Sequence, residues 1–140
     1  MIKHAIQVKI YYEDTDCGGV VYYANYLKYA ERARTEFLES RGVYLKKLMD
    51  EGIFFVVAEA SLKYLLPGRY GDVLTIETVV NRVGPASLVI GHRVLRGPDE
   101  ELLVEGTVKL GCVGRDMKPR RLSPEITDAV SGISRGLEQS

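Results

Sequence analysis

Two cysteines, two histidines and no surplus of charge leave this 140-residue chain few ligands for a metal and few groups for redox chemistry. Cys17 and Cys112 are too few and too far apart for a disulfide framework or a metal knuckle, a scarcity that fits a reducing cytoplasm. No metal and no cofactor is therefore expected. Nineteen basic residues cancel nineteen acidic ones, so neither nucleic acid nor an anionic membrane is expected as the main partner, and any anion site has to be local. The chain has no apolar run of the ~18 residues that suggest a membrane span and no leader pattern at its start, which points to a soluble protein. Repeats, linkers and low-complexity segments are also absent. A chain of this length is expected to form one domain, residues 1–140, burying roughly 68% of the surface its unfolded form exposes without a covalent or metal staple.

What is present is organised around Tyr11 to Arg41, YYEDTDCGGVVYYANYLKYAERARTEFLESR. From Tyr26 onward the period is helical: Tyr26, Ala30, Ala33 and Phe37 share a narrow arc at ~100° per residue, widened by Leu27 and Leu38. Ala30 and Ala33 are small enough to let a twisted sheet approach closely. The start is signalled by Asn25, a candidate N-cap, or by a turn a few residues earlier at Gly18 and Gly19, and Gly42 suits the left-handed position after the last turn, so a helix over 25–41 is predicted. Arg34, ~80° from Tyr26, sits at the edge of the arc. It is expected to be partly buried, either snorkelling or paired with a carboxylate such as Glu59.

Around that helix, Ile6 to Tyr12 alternates like a half-buried strand, and Val43 to Glu51 reads as a short helix closed by Gly52. Phe54 to Leu66 is a strand ended by Pro67-Gly68. Val73–Val83, Ser87–Arg96 and Glu101–Val113 follow at hairpin spacing, and Ser123-Pro124 opens a short last helix ahead of a fraying tail. The order predicts an α+β fold with five antiparallel strands wrapping one long helix. One helix cannot cover both sheet faces, so a homo-oligomer is expected to cover the remaining apolar face or edge.

For chemistry, Asp14-x-Asp16 begins like a calcium loop but has Gly18 at the fifth position and Asn25 at the twelfth, where ligands are needed. Gly18-Gly19 lacks the spacing of a nucleotide loop. Cys17 has no histidine in a catalytic context beside it and reads as a small packed residue. Asp16 is the sharper candidate, because a carboxylate in a glycine turn before a helix lies near backbone N–H groups able to polarise a carbonyl. The competing reading is local hydrogen bonding within the turn. Six of the nine tyrosines (Tyr11, Tyr12, Tyr22, Tyr23, Tyr26 and Tyr29) fall in the same stretch, either as packing or as the wall of an acyl or aromatic pocket. Arg115, Lys118, Arg120 and Arg121 form the densest basic cluster, suited to phosphates.

The run EDTDCGGVVYYANYLKYAERARTEFL resembles the hotdog-fold acyl-CoA thioesterases of the 4-hydroxybenzoyl-CoA thioesterase superfamily, in particular the Tol-Pal-associated branch. The likeness extends more weakly through PGRYGDVLTI to Met117-Lys118-Pro119-Arg120. It implies a hotdog fold, a dimer with a continuous sheet, often a tetramer, and active sites at the dimer interface. The implied substrate is acyl-CoA, with acyl-carrier protein as the alternative carrier. By position, Asp16 matches the catalytic aspartate, general base or nucleophile, and the Tyr23 backbone N–H matches the donor to the thioester carbonyl. The Tol-Pal branch commonly has His where Tyr23 stands. In another branch the catalytic carboxylate lies eight residues beyond that donor, which makes Glu31 a second candidate. Tyr12, Gly19, Tyr22, Lys118 and Arg120 are the candidate substrate contacts. A dehydratase of the same fold would need a His on or beside the helix, and a non-catalytic binding module would not need Asp16.

Overall fold

Tyr26, Ala30, Ala33 and Phe37 form one face of α1 (Asn25–Ser40), and each is 3% exposed or less. The computed structural model describes residues 3–131. Around α1 the order is β1 (Lys3–Lys9), α1, α2 (Leu45–Asp50), β2 (Phe54–Tyr64), β3 (Val73–Val83), β4 (Ser87–Arg96), β5 (Glu101–Val113) and α3 (Pro124–Ser131). The five strands make one antiparallel sheet in the order β1-β3-β4-β5-β2, which curls round the apolar face of α1. This is the predicted α+β arrangement. The core falls into two apolar clusters. One gathers Tyr26, Tyr29 and Ala33 with Leu74, Ile76, Val94 and Val104; the other gathers Phe37 and Leu38 with Leu88, Ile90, Val108 and Leu110.

Four expectations change in detail. β1 stops at Lys9, because Tyr12–Asp14 coils into a 3₁₀ turn whose Asp14 carboxylate accepts the Tyr11 N–H at 2.8 Å. Asn25 is the first helical residue rather than the cap. Ala24 stands at the cap without a side-chain bond, and the Asn25 amide reaches back to the Asp14 carbonyl instead. Arg34 is 8% exposed and pairs with His92, not with Glu59, which lies exposed on the edge strand β2. Cys17 is exposed, because it occupies the outer corner of a tight turn. Gly42 takes the left-handed conformation (φ +84°) expected after the last turn of α1. The Ser123 hydroxyl accepts the Ile126 N–H and so caps α3. The tail beyond Ser131 lies outside the described residues.

The exposed apolar surface lies at the edge more than on the outer face. Residues 57–61 of β2 are exposed on both sides of the strand, Val57 at 55%. The outer face carries charge instead, with Glu77 held between Lys3 (2.9 Å) and Arg93 (3.3 Å).

Candidate active site

Asp16 opens a tight turn in which its carbonyl accepts the Gly19 N–H (3.1 Å) and its Oδ1 accepts the Gly18 N–H (2.8 Å). Asp is favoured at that first position because its side chain closes a second, smaller ring onto the backbone. Gly19 completes the turn at φ +78°, where a β-carbon is disfavoured. Local bonding within the turn takes Oδ1, whereas Oδ2 has no partner among the described residues, and Asp16 is exposed.

The turn is held by the chain on both sides. Thr15 pairs with Val21, the Asp16 N–H donates to Val20 O (2.9 Å), and the Asp14 carbonyl accepts both the Tyr22 N–H (2.9 Å) and the Asn25 amide (2.8 Å). The 67–72 loop stitches on from the other side, through Val21 N–H to Gly68 O (2.8 Å) and Tyr70 N–H to Gly19 O (3.2 Å). At the entry to α1 the N–H groups of Tyr23 and Ala24 have no acceptor among the described residues, as the first turn of a helix requires. That pair, at the positive end of a sixteen-residue helix, is a ready donor set for a developing oxyanion.

Next to it a cleft of about 280 Å³ is lined by Val21, Tyr23, Tyr26, Tyr64, Leu65 and Leu66. The Tyr64 hydroxyl points back to the Tyr23 carbonyl at 3.4 Å, and the rings of Tyr23 and Tyr26 stand 6.2 and 5.8 Å from the Tyr64 ring. Tyr26 accepts the Gly68 N–H (3.0 Å). Burial raises its pKa and that N–H works against the rise, so it is a neutral phenol at physiological pH. Burial, and after it the Asp14 carboxylate, raises the Tyr29 pKa. Its hydroxyl is sealed from solvent and makes no hydrogen bond among the described residues.

Tyr12, Gly19 and Tyr22 thus share one stitched loop with Asp16 and Tyr23. Tyr12 and Tyr22 are 75% and 47% exposed, and Tyr22 lies against the Tyr23 ring at 4.9 Å. The other candidates are elsewhere. Glu31 lies eight residues along α1 from Tyr23, ~12 Å, in a separate groove between β1 and α1 that also holds Lys9, Asp14 and Arg32. Lys118 and Arg120 lie with Arg115 in a hollow beside Gly52, at the end of the sheet where Phe54 pairs with Val113. The Asp16 loop is at the opposite end, beyond the Tyr64–Val104 pair, roughly 33 Å of strand away. The sequence reading missed Tyr64, Leu65 and Leu66 as cleft residues. An aromatic at a strand end before Pro-Gly was the available signal, but only the fold shows that this end meets the start of α1. Among the described residues no group of His, Cys, Asp and Glu is placed to hold a metal, and no helix is long and apolar enough to cross a membrane.

Residues 18–103 match the family model described as the thioesterase superfamily. The chain is 42% identical to the acyl-CoA thioester hydrolase YbgC of Escherichia coli over 85% of this chain and 89% of that protein. It is 39% identical to the acyl-CoA thioesterase YbgC of Haemophilus influenzae over 87% and 90%. Among solved structures it is similar to a probable thioesterase from Bartonella henselae, with a TM-score of 0.81 and 35% identity, covering 87% of this chain and all of that one. The fold is the hotdog fold of these enzymes.

Proposed function

Because this chain belongs to the thioesterase superfamily, we propose that it hydrolyses the thioester of acyl-CoA to the free acid and CoA, using Asp16 and the start of α1. The observation that carries the reading is the pairing of a carboxylate oxygen with no protein partner, Asp16 Oδ2, with unspent N–H groups at Tyr23 and Ala24 in one stitched loop. The substrate carbonyl binds at the helix start, and the N–H groups stabilise its oxygen as negative charge develops. Asp16 either takes a proton from water as that water attacks the carbonyl carbon, or attacks that carbon itself. In both routes the C–S bond breaks and CoA leaves as thiolate; in the second, water then cleaves the acyl–Asp16 anhydride, releasing the free acid and restoring the carboxylate. A thioester is electrophilic enough for one carboxylate and a polarised carbonyl to suffice.

The cleft walled by Tyr23, Tyr26, Tyr64 and Leu66 favours a short or aromatic acyl group. The working unit in this reading is a dimer or a dimer of dimers in the cytoplasm, with each site drawing on two chains. The two-sided exposure of β2 supports pairing along that edge. Lys118 and Arg120, too far from Asp16 in their own chain, would hold the CoA phosphates of the partner's site. The dehydratase reading gains nothing, since α1 carries no His and His92, which faces α1 from β4, is buried with its ring nitrogens engaged by Arg34 and Thr78. The test is release of free CoA across a panel of acyl-CoA chain lengths and aromatic acyl-CoAs, with acyl-carrier-protein thioesters in parallel. Release from acyl-CoA supports the proposal; hydrolysis of the carrier-protein thioesters alone changes the carrier, and release from none overturns it.

A further inference from the structure

Both histidines of the chain stand on one row across the inner face of the sheet. The register sets His4 beside Thr78, Thr78 beside His92, and His92 beside Gly106. Above this row α1 lays Arg34, and the row separates the two apolar clusters of the core. Thr78, His92 and Arg34 are 0%, 4% and 8% exposed, so the row is an interior polar layer.

Its bonding fixes its protonation. Arg34 Nη1 lies 3.3 Å from His92 Nε2, while His92 Nδ1 lies 3.3 Å from both the Thr78 hydroxyl and the Glu77 carbonyl. A guanidinium only donates, so Nε2 has to accept, the ring is neutral, and its single proton sits on Nδ1. Among the described residues no carboxylate bonds to Arg34. Glu31, on α1, reaches it only through its charge, and the Glu77 carboxylate is engaged on the outer face by Lys3 and Arg93. From the other strands β5 supplies Gly106 and β2 supplies Leu62, neither of them charged, and β1 supplies a second imidazole, His4, whose buried Nδ1 has no partner among the described residues and whose ring lies 6.1 Å from that of Phe37.

We infer that Arg34 and His92 form a proton-sensitive latch between α1 and the sheet. Adding a proton to His92 removes the acceptor for Arg34 and sets two cations against each other in the interior, so α1 loosens in acid and re-seats on neutralisation. Burial first, and then the Arg34 charge, hold the His92 pKa down to about 4, against the opposing pull of the Glu77 carbonyl. The latch is independent of the proposed chemistry.

His92→Gln is the discriminating variant, because its amide oxygen can accept from Arg34 and its NH₂ can donate to Thr78 or Glu77 O, yet it takes no proton. Thermal midpoints of both proteins are to be measured near ~pH 7 and ~pH 5, alongside the NMR titration of the wild-type His92 ring. The wild-type midpoint is expected to fall by roughly 5 °C more than that of the variant, reversibly, with His92 an Nδ1–H tautomer titrating well below the ordinary ~6.5. Equal falls in both proteins, or a His92 that titrates at or above its ordinary value, would overturn the latch. If His92→Gln does not fold, the wild-type titration and tautomer decide alone.

Discussion

Asn25 Nδ2 donates to the Asp14 carbonyl at 2.8 Å, joining the first turn of α1 to the loop that carries Asp16. The same carbonyl takes the Tyr22 N–H, so one oxygen sets the spacing between carboxylate and helix start. Asn25→Ala should cost ~1 kcal/mol, the usual value of one such bond. Turnover should fall further than substrate affinity, because orientation rather than contact is lost. Thermal unfolding together with separate kcat and KM values checks both.

Stability should fall with acid through His92. Its folded pKa, about 4, lies below the unfolded ~6.5, so between these values the unfolded chain binds the extra proton. The contribution is intact above ~pH 6.5 and is lost progressively as pH falls toward ~4, to a total of roughly 3 kcal/mol. Denaturant unfolding across that window measures it. Stability unchanged over the window would contradict the assignment.

Gly106→Ala should be among the most damaging single methyl additions. A β-carbon there collides with the Ser61 carbonyl and stands 2.9 Å from the Leu62 Cα, both backbone atoms of β2 that cannot swing aside. A loss of ~2 kcal/mol or more is expected by urea unfolding, with β2 displaced from β5.

The elements were legible in the sequence because they obey local rules. The arc from Tyr26 to Phe37 and the breaks at Gly42, Pro67-Gly68 and Gly97-Pro98 help mark α1 and the four long strands, β2 to β5, within a residue or two. Contacts between elements were not legible. Arg34 has no local signal for His92, 58 residues away, and Asn25 has the composition of a cap while its amide serves a loop eleven residues back. Asp16 stood out through its glycine turn. The separation of Lys118 and Arg120 from it depends on which end of the β2–β5 ladder each loop leaves, a property of topology alone.

The dimer can be tested apart from the chemistry. Sedimentation at micromolar concentration should show a dimer or a dimer of dimers, and a charge introduced at Val57→Lys, on the doubly exposed stretch of β2, should shift it toward monomer and lower kcat in parallel. A stable, fully active monomer would refute shared sites.

The most direct test of the central claim is acyl-CoA turnover by Asp16→Asn. The amide can still accept the Gly18 N–H through its oxygen and preserve the turn, so fold and acyl-CoA binding should persist while kcat drops by about 10²- to 10⁴-fold, the range for losing a general base. Near-wild-type turnover in Asp16→Asn would contradict the account, and collapse in Glu31→Gln beside it would move the catalytic carboxylate to α1.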